Sequence, residues 1–240
     1  MRPPHLRVAG EAPLDSDWPV IDQAPEAGLY LVREDGRLTL RDAGRPEARG
    51  VHADARSEAI RKRLESGRRS PLARAVGLHK QPDLRVLDAT FGLGRDGFVL
   101  LHLGARIMGC ERNTVLQQLL GDALTRAGAL SDRWLGLQGQ DAASWLQAHP
   151  EADFDVVYID PMFDAPARKA LPKLELQLLR DVVGDDADVD QMFAVARGVA
   201  RQRVVVKQHP RGPSLARPDF SVASGKTRFD VYLTSDRSFR

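Results

Sequence analysis

Cysteine is almost missing from this chain: Cys110 is the only one in 240 residues. An internal disulfide is thereby excluded, and no Cys/His group has the spacing of a zinc site, so no structural metal is expected. No run of about 18 apolar residues occurs, which leaves no helical membrane span. The opening MRPPHLRVAGEAPL also lacks the apolar centre of a secretion signal. A cytosolic location is the expectation. Internal repeats are absent, and net charge is small at +2. What is present is ordinary for a folded domain, 42% hydrophobic and 28% charged residues in a length that can bury one proper core.

The small net charge hides an uneven distribution. Arg56, Arg61, Lys62, Arg63, Arg68, Arg69 and Arg74 crowd one stretch against two acids, Glu58 and Glu65. Such a segment is either a solvated helix face or a surface for phosphates. Residues 1 to about 26 are rich in Pro, Asp and Ala without periodicity and predict an irregular start. LYLVRE and RLTLRD then alternate around Asp35-Gly36, the signal of a β-hairpin. Residues 54 to 66 read as a basic helix, and LARAVGLH as a second, short one.

From residue 84 onward strand and helix patterns alternate, as expected for a mostly parallel sheet covered by helices. Strands are predicted at 84–89, 105–111, 134–138, 154–160, 201–207 and 228–234, with helices at about 96–103, 113–128, 141–148, 166–182 and 188–200. The chain thus divides into residues 1–54, an irregular segment with a small β element, and residues 55–240, an α/β domain.

LRVLDATFGLGRDGF, residues 84 to 98, fits two ligands. Gly92, Gly94 and Gly97 have G-x-G-x-x-G spacing after an apolar run, with Glu111 about 20 residues on, as a dinucleotide site requires. Asp88 also gives D-x-x-x-G-x-G, the loop of S-adenosylmethionine (SAM) dependent methyltransferases. In either case the glycines admit close backbone approach, and Glu111 can accept hydrogen bonds from ribose hydroxyls. Asp141 can contact an adenine amine or cap the helix that follows it.

Asp160-Pro161-Met162-Phe163 favours SAM. It ends an apolar strand with a carboxylate, a rigid proline and an aromatic ring, resembling the [N/D]-P-P-[F/Y/W] motif of enzymes that methylate exocyclic amines of nucleobases. Such an amine is a poor nucleophile because its lone pair is delocalised into the ring. Acceptors on its hydrogens, the Asp160 carboxylate and the Pro161 carbonyl, would favour a more tetrahedral nitrogen. Phe163 would stack on the base, a contact worth about 1–3 kcal/mol. The alternative is a turn whose Phe163 faces the core.

In order and spacing, DATFGLGRDGF, GCERN, YIDPMF, RKALPKLELQLLRDVVG, RVVVK and RFDVYL resemble the bacterial RsmJ (YhiQ) family of SAM-dependent 16S rRNA guanine-N2 methyltransferases. The resemblance implies a class I methyltransferase fold, Rossmann-like with a seven-stranded sheet. It also implies SAM contacts from Arg95, Asp96, Glu111, Arg112, Asp141, Ala142 and Asp160, besides the loop's Asp88, Gly92 and Gly94. The partner would be 16S rRNA or the small ribosomal subunit. Under that reading Arg61, Lys62, Arg68 and Arg69, with Arg168, Lys169, Lys173 and Lys207, form a rim for RNA phosphates. Phe91 stands where the family has a small residue, which predicts altered packing.

Two other functions fit parts of the sequence. A nicotinamide-dependent oxidoreductase would use the literal glycine spacing, but no Tyr-x-x-x-Lys pair accompanies it and none of the six histidines has a catalytic setting. A non-catalytic RNA-binding protein on the same fold is the third possibility.

Overall fold

The computed structural model describes residues 7–9, 20–21, 23–128, 131–161 and 189–234. The predicted hairpin is present as β3 (Leu29–Glu34) and β4 (Arg37–Asp42). Asp35 and Gly36 turn it with positive φ of 48° and 73°, the twist a two-residue hairpin requires. The irregular start needs correction, because β1 (Arg7–Ala9) pairs parallel to β3 and β2 (Val20–Ile21) pairs parallel to β1. Both are too short to show an alternating pattern, so the small element is a four-stranded sheet.

Leu31, Leu38 and Leu40 of the hairpin share one hydrophobic cluster with the helices that follow. α1 (Glu58–Leu64) starts at Ser57, whose Oγ accepts from the Ile60 N–H, and it is shorter than the stretch 54–66. α2 (Pro71–Val76) has Ser70 as its cap and proline at its first turn. Gly77, at φ 104°, closes it.

The alternation from residue 84 becomes β5 (Arg85–Asp88), α3 (Arg95–His102), β6 (Arg106–Cys110), α4 (Thr114–Ala127), β7 (Trp134–Gln138), α5 (Ala142–Ala148), β8 (Val156–Ile159), α6 (Val189–Val199), β9 (Arg203–Gln208), β10 (Phe220–Ser224) and β11 (Thr227–Leu233). The seven-stranded sheet runs β10-β11-β9-β8-β5-β6-β7, parallel except at β10 and β11. β10 had no pattern to reveal it, since Val222 is its only buried residue. The predicted helix at 166–182 lies outside the described residues.

The two faces of the sheet follow a period of two. Val86, Val156, Tyr158, Val205 and Val231 join the cluster that contains α3 and α4 residues. Leu87, Val157, Ile159, Val204, Val206 and Tyr232 face α5 and α6. Asp122 of α4 fastens the hairpin to this body, accepting from Arg33 at 2.8 Å, the Leu38 N–H at 3.1 Å and Arg126 at 2.8 Å. Burial would raise its pKa, yet these donors hold it below the ordinary value.

β6 and β7 lie on one side of β5, and β8 and β9 on the other. Strand order therefore reverses beside β5, where the strand ends open a crevice for a ligand.

Candidate active site

The crevice holds a cavity of about 300 Å³, lined by residues from the ends of β5 to β9 and from α6. Its floor is the glycine loop. Gly92 and Gly94 take left-handed φ of 56° and 73°, which residues with a side chain rarely adopt. Gly92 lines the cavity; Gly94 does not. It is instead the cap of α3, where a Cβ would lie 2.5 Å from the Phe98 ring.

Gly97, third in the dinucleotide spacing, has a different role. A Cβ there would come within 2.3 Å of the Phe91 ring. Phe91 is buried and packs edge-on against Phe98 and tilted against Trp134, so its ring requires the glycine. Gly97 thus accommodates the Phe91 ring, which is a packing reason for its place in the G-x-G-x-x-G spacing.

Glu111 follows β6 and is only 6% exposed. Its Oε2 accepts from the Gly92 N–H at 2.9 Å and its Oε1 from the Asn113 N–H at 2.8 Å. Both oxygens are acceptors at the wall of the cavity. Asp141 caps α5 by accepting from the Ser144 N–H at 3.0 Å, and it also lines the cavity, so its two predicted roles are compatible in space. Arg95 and Arg112 are exposed at the cavity, and Ala142 is a buried part of its wall. Cys110 also lines it, but burial pushes its thiol up to about 12, so it stays protonated.

A compact charge cluster occupies the end of β5, β8 and β9. Period two turns Asp88, Tyr158 and Lys207 toward α3, whose first turn carries Asp96. Lys207 Nζ lies 2.9 Å from Asp96 Oδ2 and 2.6 Å from Asp160 Oδ2. The Tyr158 hydroxyl and the Arg63 guanidinium donate to the two oxygens of Asp96. The Asp160 N–H donates to Thr90 Oγ1 at 2.6 Å. Burial opposes ionisation of Asp96, but Lys207 and Arg63 outweigh it and bring the carboxyl to about 2. Burial and neighbouring Asp96 push Asp160 up to about 6 against the pull of Lys207. Asp88, beside two other acids in a dry position, is raised well above the ordinary range.

Lys207, expected at a rim of phosphate contacts, sits instead within the carboxylate cluster, between Asp96 and Asp160. Arg61, Lys62, Arg68 and Arg69 are exposed on α1 and the following turn, with Arg68 also donating to the Leu103 carbonyl at 2.9 Å. Pro161 is buried directly after Asp160. Phe163, Arg168, Lys169 and Lys173 lie outside the described residues. Thr90, Tyr158 and Arg63 were not anticipated. Tyr158 could have been found from its two-residue spacing to Asp160, whereas no local pattern marks Arg63.

The cavity suits a nucleoside joined to an amino acid. Leu93, Leu116, Ala142 and Met192 form apolar walls that could take a base, the Glu111 carboxylate could accept from a diol, and exposed guanidiniums could meet a carboxylate. Among the described residues, no group of three metal-ligating side chains occurs, and no helix is long and apolar enough to cross a membrane.

Comparison with known proteins agrees with this chemistry. Residues 14–234 match the family model for SAM-dependent methyltransferases. The chain is 38% identical over 220 residues to the ribosomal RNA small subunit methyltransferase J of Pseudoalteromonas atlantica, covering 86% of this chain and 85% of that protein. To the protein of the same name from Laribacter hongkongensis it is 41% identical over 218 residues, covering 87% and 76%. A SAM-dependent methyltransferase of known structure from Neisseria gonorrhoeae superposes with a TM-score of 0.74 at 28% identity, covering 98% of each chain. The cofactor is accordingly SAM and not a nicotinamide dinucleotide. The chain belongs to the ribosomal RNA small subunit methyltransferase J family of SAM-dependent methyltransferases.

Proposed function

We propose that the protein transfers a methyl group from SAM to the exocyclic N2 amine of a guanosine in 16S rRNA of the small ribosomal subunit, and that it works in the cytoplasm. The observation that carries this reading is the placement of Asp160. Its carboxylate stands at the edge of the SAM cavity, its main chain is fixed by Thr90, and one oxygen is engaged by Lys207. The relatives named for small-subunit rRNA support the same substrate.

When bound, SAM supplies an electrophilic methyl group. The chain's residues hold, orient and shield. Glu111 would hold the ribose, Arg95 and Arg112 would meet the carboxylate, and Asp88, Gly92, Asp96, Asp141 and Ala142 would complete the cradle. Asp160 and the Pro161 carbonyl accept from the amine hydrogens and draw its lone pair out of the ring. Phe163 stacks on the base. With its pKa at about 6, Asp160 is mostly ionised at neutral pH and can take the proton that the alkylated nitrogen sheds. No covalent enzyme intermediate is needed, so the rate depends on positioning and electrostatics.

Arg61, Lys62, Arg68 and Arg69 meet phosphates and not bases, with Arg168, Lys169 and Lys173 as further rim residues. Single-turnover methylation of undermethylated small-subunit particles tests the reading. Wild type transfers the label to guanosine, whereas transfer to another base, or none, rejects it.

A further inference from the structure

Lys207 shares its ammonium between two carboxylates of different standing. Asp96, in the first turn of α3, is fixed from two other elements, by Arg63 of α1 and Tyr158 of β8. Asp160 follows the end of β8 and faces the cavity. A free lysine side chain has four flexible bonds, and a fixed anion on one side removes most of that freedom. Two carboxylates within 3 Å also surround the ammonium with net negative charge, which disfavours a phosphate at the same nitrogen.

We propose that Lys207 is a positioning residue for methyl transfer: braced by Asp96, its ammonium holds the Asp160 carboxylate ionised and aimed at the target amine. The proposal rests on Asp160 being the acceptor. Among the described residues, the charged and titratable groups that bear on Asp160 are Lys207 from β9, Asp96 from α3, Asp88 from the end of β5, Tyr158 from β8 and Arg63 from α1. Lys207 favours the ionised form and Asp96 opposes it. Their removal must therefore move the acidic limb of the rate profile in opposite directions.

The test is the single-turnover rate against pH at saturating SAM, on undermethylated small-subunit particles, with SAM affinity read separately by calorimetry. Lys207→Met is expected to lower the rate at pH 7 at least about tenfold and to raise the acidic limb by about one pH unit or more. SAM affinity should change by less than about threefold, and the salt slope of RNA binding should not change, whereas removing a phosphate-binding cation would flatten it by about 0.7–0.9. Lys207→Arg should recover much of the rate. Asp96→Asn should move the limb downward.

An unchanged limb in Lys207→Met, or a flattened salt slope, overturns the proposal. Should that variant not fold, an unchanged or raised limb in Asp96→Asn overturns it instead. Asp160→Asn separates the two levels: a wild-type profile in that variant removes the acceptor reading itself, whereas its loss of activity beside a normal Lys207→Met removes only the role of Lys207.

Discussion

Replacing Glu111 by alanine tests how the cofactor is held. The carboxylate joins two pieces of main chain, accepting from Gly92 in the glycine loop at 2.9 Å and from Asn113 at the head of α4 at 2.8 Å. Its two oxygens are the proposed acceptors for the ribose hydroxyls. Each charge-assisted bond of this kind contributes about 1.5–3 kcal/mol. Water can enter the space left by the truncated side chain and recover part of that. A net loss of about 1.4–3 kcal/mol is then expected, a ten- to roughly hundredfold weakening of SAM. The two N–H groups also lose their acceptor, so the loop itself should melt earlier. Glu111→Gln retains the shape and one acceptor oxygen and should fall between wild type and alanine. Calorimetric titration with SAM and with its demethylated product measures all three proteins. SAM affinity unchanged in Glu111→Ala would refute the assignment of the loop and of the strand end together.

Other perturbations have defined outcomes. Asp160→Ala should reduce single-turnover methylation at least 10²-fold, about 2.7 kcal/mol in the barrier, and near-normal rates would show that the amine is held elsewhere. Phe163→Ala should impair use of rRNA particles while leaving SAM affinity within a few fold, and Phe163→Tyr should retain much of the activity. Replacing Arg61, Lys62, Arg68 and Arg69 together should flatten the salt dependence of RNA binding by about 0.7–0.9 log unit for each phosphate no longer neutralised; an unchanged slope would make that face merely solvated. Gly97→Ala should cost about 1–3 kcal/mol in denaturant unfolding through overpacking, because its Cβ would meet the Phe91 ring at 2.3 Å, and the cost should shrink in a Phe91→Leu background. Asp122 is held below its ordinary pKa, so it stabilises the fold above the unfolded-state value near 4, and that contribution fades as pH falls through the lower folded value. Asp122→Asn should therefore narrow the stability difference between pH 7 and pH 3.

The parts of the fold governed by local pattern were visible in the sequence. Alternation located β3 and β4, the apolar runs located β5, β6, β8 and β9, and the Asp141 cap marked the start of α5. What depended on strand neighbours was not visible. Lys207 reads as a basic residue ending an apolar strand, and only the placement of β9 beside β8 brings it within 2.6 Å of Asp160. Arg63 looked like any other charge of the basic helix, yet it turns inward to Asp96 while Arg61 and Lys62 remain exposed. Gly97 fitted a phosphate-binding spacing for a packing reason that emerges only once Phe91 is seen against it. β10 is an edge strand with one buried side chain, so hydrophobicity could not mark it.

Methyl transfer to guanosine N2 through Asp160 has a direct readout in cells, the map of modified nucleotides in 16S rRNA. The comparison is between cells carrying the gene, cells lacking it, and deleted cells supplied with either wild type or Asp160→Ala. One N2-methylguanosine should disappear with the gene, return with wild type, and stay absent with Asp160→Ala made to the same level. A 16S rRNA modification pattern unaffected by the deletion would contradict the substrate, and full restoration by Asp160→Ala would contradict the mechanism.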